Sequence, residues 1–187
     1  MITWICNRLT VGVVCLILAG CARPIPEDST VNNPADDALS SATLADGSIA
    51  LVPPSGYCID PESLTDNFAL MARCDRLGGP PEFGAPVAVI TAATAGGVPA
   101  LGIGRVFGTE RETIIARREA EGVTLLQVKG TPPIPTMRDV FWRGISKIEG
   151  KMLGLAIYES KDSAPLGEQA PDLLAQTLRR TKARTEP

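Results

Sequence analysis

Residues 138–160 read RDVFWRGISKIEGKMLGLAIYES, and their pattern decides the fold. Val140, Trp142 and Ile148 fall on even spacing, as do Leu153, Leu155 and Ile157, on two runs joined around Glu149-Gly150-Lys151. A period of two is the signature of a strand, because successive side chains leave the backbone on opposite sides. Two such runs across a short glycine-containing link predict a β-hairpin with one buried face. Trp142 then belongs to the core, its indole N–H seeking a carbonyl, and Arg143 to the opposite, wet face. Trp and Arg are also favoured in binding sites, which makes Trp142 and Arg143 candidate binding residues.

Downstream, EQAPDLLAQTLRRTKAR places Pro171 in a first helical turn and gathers Leu173, Leu174, Ala175 and Leu178 into one apolar stripe. Arg179, Arg180 and Lys182 suit the negative end of that helix. Upstream, VTLLQV at 123–128 is a strand, but the stretch before it is two-sided. Thr109 and Glu112 have capping-box spacing for a helix over 110–121, whereas the β-branched run Thr113-Ile114-Ile115 favours a hairpin. The hairpin is preferred. GSIALVPP at 47–54 reads as a strand ended by prolines, NFALMARC at 67–74 as a strand with helix as the alternative, and APVAVITAAT at 85–94 as a buried strand. Mostly antiparallel strands with a C-terminal helix packed on them make the class α+β.

The N-terminus is of another kind. Arg8 precedes the apolar run Leu9–Leu18, about ten residues, which suits a secretory signal and is too short for a spanning helix. Small residues Ala19 and Gly20 then lead to Cys21. The order Leu18-Ala19-Gly20-Cys21 resembles the lipobox of bacterial lipoproteins. The resemblance implies cleavage before Cys21, diacylglycerol on its sulfur and usually acylation of the new amino terminus. Each buried methylene contributes about 0.8 kcal/mol, so several chains anchor a protein firmly. Ala22 in place of the retention aspartate implies, by the same resemblance, the outer membrane facing the periplasm.

Residues 22 to about 42, rich in Pro, Asp, Asn and Ser, read as a flexible tether. A coil of ~20 residues spans about 25 Å. The expected organisation is therefore a signal at 1–20, lipidated Cys21 and tether to 44, one globular domain at 45–183, and a short tail at 184–187.

Five cysteines occur in the chain. Cys6 and Cys15 would leave with the signal and Cys21 would carry lipid, so Cys58 and Cys74 remain. In an oxidising compartment an even pair reads as a structural disulfide in preference to a redox or metal site. Closing a loop of roughly 17 residues stabilises by about 3 kcal/mol on the chain-entropy model.

The chain has 18 Lys+Arg against 21 Asp+Glu and no histidine. Loss of Arg8 with the signal shifts the balance from −3 to −4. This is no footprint for nucleic acid, and no polybasic patch for anionic lipid. Without imidazole there is no Ser-His or Cys-His nucleophile pair and no histidine metal site. Gly102, Gly104 and Gly108 miss the dinucleotide-binding spacing and read as a loop. No cofactor or metal is expected. Asp60, Glu62, Asp66 and Asp75 crowd around the cysteine pair, and a carboxylate-based envelope hydrolase is the alternative they raise.

The segments PPSGYCIDPESL, ALMARCDRLGG and VFWRG…GKMLGLAIYE…LLAQTLRR together resemble those of uncharacterised bacterial envelope lipoproteins. The order of elements is also similar to the PsbP-like α/β sandwich. That likeness implies an accessory role: binding an envelope protein or small ligand, with the membrane reached through the lipid anchor.

Overall fold

The computed structural model describes residues 38–79, 84–95, 112–120 and 122–186. All belong to the unit Asn32–Pro187. The signal segment, Cys21, the tether up to residue 37, and Gly102, Gly104 and Gly108 lie outside the described residues.

Nine strands are described: β1 (Ala42–Leu44), β2 (Ile49–Leu51), β3 (Tyr57–Ile59), β4 (Phe68–Arg73), β5 (Val89–Ala95), β6 (Thr113–Ala120), β7 (Val123–Lys129), β8 (Val140–Ile148) and β9 (Lys151–Tyr158). The helix α1 covers Gln169–Thr185. Strands β3 to β9 form one sheet in the order β3-β4-β5-β9-β8-β7-β6, while β1 and β2 form a separate hairpin. Every strand pairing is antiparallel. The class is α+β, as expected.

The predicted β8–β9 hairpin forms: Trp142 faces Ile157, Gly144 faces Leu155, and Ile148 faces Lys151 across the turn Glu149-Gly150. Both turn residues have positive φ, 47° and 75°, the mirror-image turn that matches strand twist. The stretch at 113–120 is a strand paired with β7, so the β-branched run prevails over the capping-box spacing. NFALMARC likewise settles as strand, because β4 lies between β3 and β5 and neighbouring ladders satisfy its backbone.

One face of the sheet carries the main core. Leu125, Trp142, Leu153, Leu155 and Ile157 pack there with Leu174 and Leu178 of α1 and with Leu44, Ile49 and Leu51 of the small hairpin. The helix passes over Gly144, where an added Cβ would lie 3.1 Å from Leu178 Cδ1 and 3.3 Å from Leu174 Cβ.

Three expectations change. The β8–β9 pair buries both faces, not one, because Phe141, Ile145, Met152, Ala156 and Tyr158 join Leu126 and Val128 in a second apolar cluster. Strands interior to a sheet that is apolar on both sides read as near-continuous hydrophobic runs, and MLGLAIY is one. Packed structure also starts before residue 45: Leu39 exchanges backbone bonds with Ile59, and Leu44 is fully buried. Polar composition concealed these single anchoring residues. At the other end, α1 runs through Thr185 into the expected tail.

Candidate functional site

The hairpins bring together side chains far apart in sequence. Gln127 on β7 stands opposite Trp142 on β8. Arg118, from edge strand β6, reaches across and stacks its guanidinium carbon 5.1 Å from the centroid of the Trp142 ring. A planar cation over an indole face is favourable, the more so when partly desolvated. Arg118 is held in place by Glu168, which immediately precedes α1 and accepts from both of its terminal nitrogens. The hydrogen bond to Glu168 raises the Arg118 pKa further, and the same bond is the main cause holding the Glu168 carboxyl below its usual range.

Arg138, just before β8, forms the opposite wall. Its Nη2 donates to the carbonyls of Ser163 at 2.7 Å and Lys161 at 3.3 Å. Its Nε lies 4.0 Å from Glu159 Oε2. That oxygen accepts the Leu166 N–H at 2.8 Å. Among the described residues, Arg138 Nε is the one fully buried side-chain polar atom with no hydrogen-bond partner. Together with Val140, Pro165 and Gly167 these residues enclose a cavity of about 290 Å³ beside Trp142.

A second cavity of similar size, about 290 Å³, is lined by Ala72, Val87, Val89, Met137 and Tyr158, with Arg73 and Arg76 beside them. It is mainly apolar, and Arg73 is engaged there in a double hydrogen bond with Asp75 at 2.9 and 2.6 Å. That hydrogen bond is the main cause lowering the Asp75 pKa.

No protein-family model matches the chain, and no curated protein matches it in sequence.

Trp142 is 5% exposed and belongs to the core, yet its margin lines the polar cavity. Arg143 does face the other side, but it is not wet: its side chain is 15% exposed and that of its partner Glu112 7%. Its Nε donates to Glu112 Oε2 at 2.7 Å, and its guanidinium lies 5.4 Å from the Phe141 ring centroid. A flat guanidinium with a bidentate acid and an aromatic neighbour tolerates burial well. Trp142 and Arg143 thus belong to different faces and share no site. Glu112 was invisible as Arg143's partner, since only the arrangement of β6, β7 and β8 brings the two together.

Cys58 and Cys74 are bonded, with sulfurs 2.01 Å and Cα atoms 4.8 Å apart. Both are buried, on β3 and at the turn ending β4. The four acids nearby have separate tasks. Asp60 Oδ1 caps a short turn by accepting the Glu62 N–H, Asp66 Oδ1 accepts the Asp46 N–H at 2.7 Å, Asp75 holds Arg73, and Glu62 is exposed. No group of three or more acidic or cysteine side chains forms a metal-binding set among the described residues. Sequence reasoning missed Arg118, Gln127, Arg138, Glu159 and Glu168. Only the Gln127–Trp142 pairing had a usable signal, the β7–β8 register.

Proposed function

We propose that this protein is a lipid-anchored lipoprotein of the bacterial cell envelope, fastened through Cys21, that binds a small ligand or an envelope protein at the periplasmic face of the outer membrane. The observation that carries binding is the cavity beside Trp142, walled by Arg118 and Arg138, each paired with an acid, with Gln127 and the margin of Trp142 between them. Concave sites with apolar walls and a few convergent polar groups are where small ligands bind. The anchor rests on Leu18-Ala19-Gly20-Cys21 and the charged, apolar stretch before it. The accessory role leans further on the similarity in element order to PsbP-like domains, a fold-level analogy. The acids around the disulfide serve local structure, and their placement favours that over a shared hydrolytic centre.

Intact mass and palmitate labelling of membrane-extracted protein test the anchor. The expected product lacks residues 1–20 and carries acyl mass on Cys21, and Cys21→Ser releases the folded body from the membrane fraction. Absence of label on the wild-type chain would sink the anchor.

A further inference from the structure

The two edges of the large sheet are finished differently. At one, β3 is three residues long, and its Ile59 exchanges backbone hydrogen bonds with Leu39 at 2.8 and 3.0 Å, so a bridge already covers it. At the other, β6 runs for eight residues and pairs only with β7 among the described residues. An edge of that length offers a row of backbone donors and acceptors to any strand that fits it. Ile114 and Ile115, 59% and 52% exposed, stand at its start. The charges that follow decide which strand fits. Arg117 and Glu119 lie beside Leu126 and Thr124, on the face of the second apolar cluster, paired with each other and largely in water. Arg118 lies beside Leu125 on the helix face, but it leans inward over Trp142 and is matched by Glu168, so its charge is balanced away from the edge.

We propose that the outer edge of β6 joins β6 of a second copy of this chain, antiparallel and centred on Arg118, so that two seven-stranded sheets continue as one. This goes beyond the binding reading and does not depend on it. In that register Arg117 faces the partner's Glu119, and Glu119 faces the partner's Arg117. The charges then alternate both along and across the strands, and opposite charges directly facing each other stabilise a β pairing where like charges oppose it. The strand is thus complementary to itself, as a two-fold interface requires. The irregularity between Ile114 and Ala116 limits the ladder to Ala116–Ala120 on each copy. The isoleucines beyond it flank the partner's β6–β7 turn, which withdraws apolar surface from water. A ladder this short makes a weak, concentration-dependent dimer. A two-fold axis normal to the sheet leaves both Trp142 cavities on one face, one on each side of the axis.

Sedimentation equilibrium of the full chain in density-matched detergent tests this, and a reversible shift from monomer to dimer with rising concentration is expected. Arg117→Glu sets two acids opposite each other and should weaken the dimer by about tenfold or more, while adding Glu119→Arg to it should restore the affinity. Both side chains are more than 60% exposed, so each variant should keep the wild-type melting temperature. Cysteines read the register. Arg117→Cys and Glu119→Cys, made separately and mixed under mild oxidation, should crosslink to each other far more than either does to itself, because only the mixed pair stands directly opposite. A chain that stays monomeric up to about 1 mM overturns the proposal and leaves the edge to a strand of another protein. A dimer indifferent to Arg117→Glu, or one that persists without the mixed crosslink, places the contact elsewhere and overturns it equally.

Discussion

Single residues explain why the two sides of the sheet behave differently. Gly144 is the clearest case, since α1 crosses it with Leu174 Cβ and Leu178 Cδ1 at 3.3 and 3.1 Å from the position a Cβ would take. Leu178 can swing its tip, but Leu174 Cβ is fixed to the helix. Gly144→Ala is therefore expected to destabilise the protein by about 1–2 kcal/mol, overpacking outweighing the gain from a stiffer unfolded chain. Urea denaturation at unchanged slope measures it, and a stabilised variant would show that the helix moves away freely. Arg143 makes a related point. An arginine at a strand position facing away from the core is read as solvated, but here it and Glu112 enter the second apolar cluster as a hydrogen-bonded unit, which lowers the cost of burying either charge.

At the scale of elements, the bond between α1 and the small hairpin is polar as well as apolar. Thr181 Oγ1 accepts the Val52 N–H and Thr185 Oγ1 the Ala50 N–H, each at 3.0 Å, while Gln176 Oε1 accepts the Ser55 N–H. Helix side chains thus stand in for a third strand along the outer edge of β2, satisfying backbone donors that a two-stranded hairpin leaves open. Thr181 and Thr177 are fully buried, though the apolar stripe of Leu173, Leu174, Ala175 and Leu178 was the only part of this face expected to be, and Leu173 is only half-buried. Thr181→Val keeps the shape and deletes the acceptor. A loss of about 1 kcal/mol is expected, with faster hydrogen exchange at the Val52 amide, and Thr181→Ser should restore most of both. An unaltered Val52 exchange rate would contradict this account of the edge.

Across the whole molecule, the Cys58–Cys74 link fastens β3, the strand at one end of the sheet order, to the end of β4. Short strands such as the three-residue β3 contribute little ladder of their own, so constraint of the unfolded chain matters more. Cys58→Ser is expected to cost about 3 kcal/mol, a fall in melting temperature on the order of 10 °C, and reduction of the wild-type disulfide should give the same fall. A variant melting with the wild type would show that ladder and core alone hold β3.

Much of the architecture was readable because it rests on local periodicity. The even spacing from Val140 to Ile157 determined the β8–β9 hairpin, the β-branched run at 113–115 determined β6, and the stripe at 173–178 determined α1. The cysteine count singled out Cys58 and Cys74. The N-terminal 21 residues determined the expectation of a lipid anchor by their charge, apolar length and small residues. Other features depend on which strands become neighbours. The second apolar face, the burial of Arg143 against Glu112 and the threonine edge of β2 are invisible in one dimension, because each needs two segments whose separation in sequence carries no signal. The polar cavity is the extreme case: Arg118, Gln127, Arg138, Trp142, Glu159 and Glu168 converge only when three strands, two connecting loops and the start of a helix have all packed.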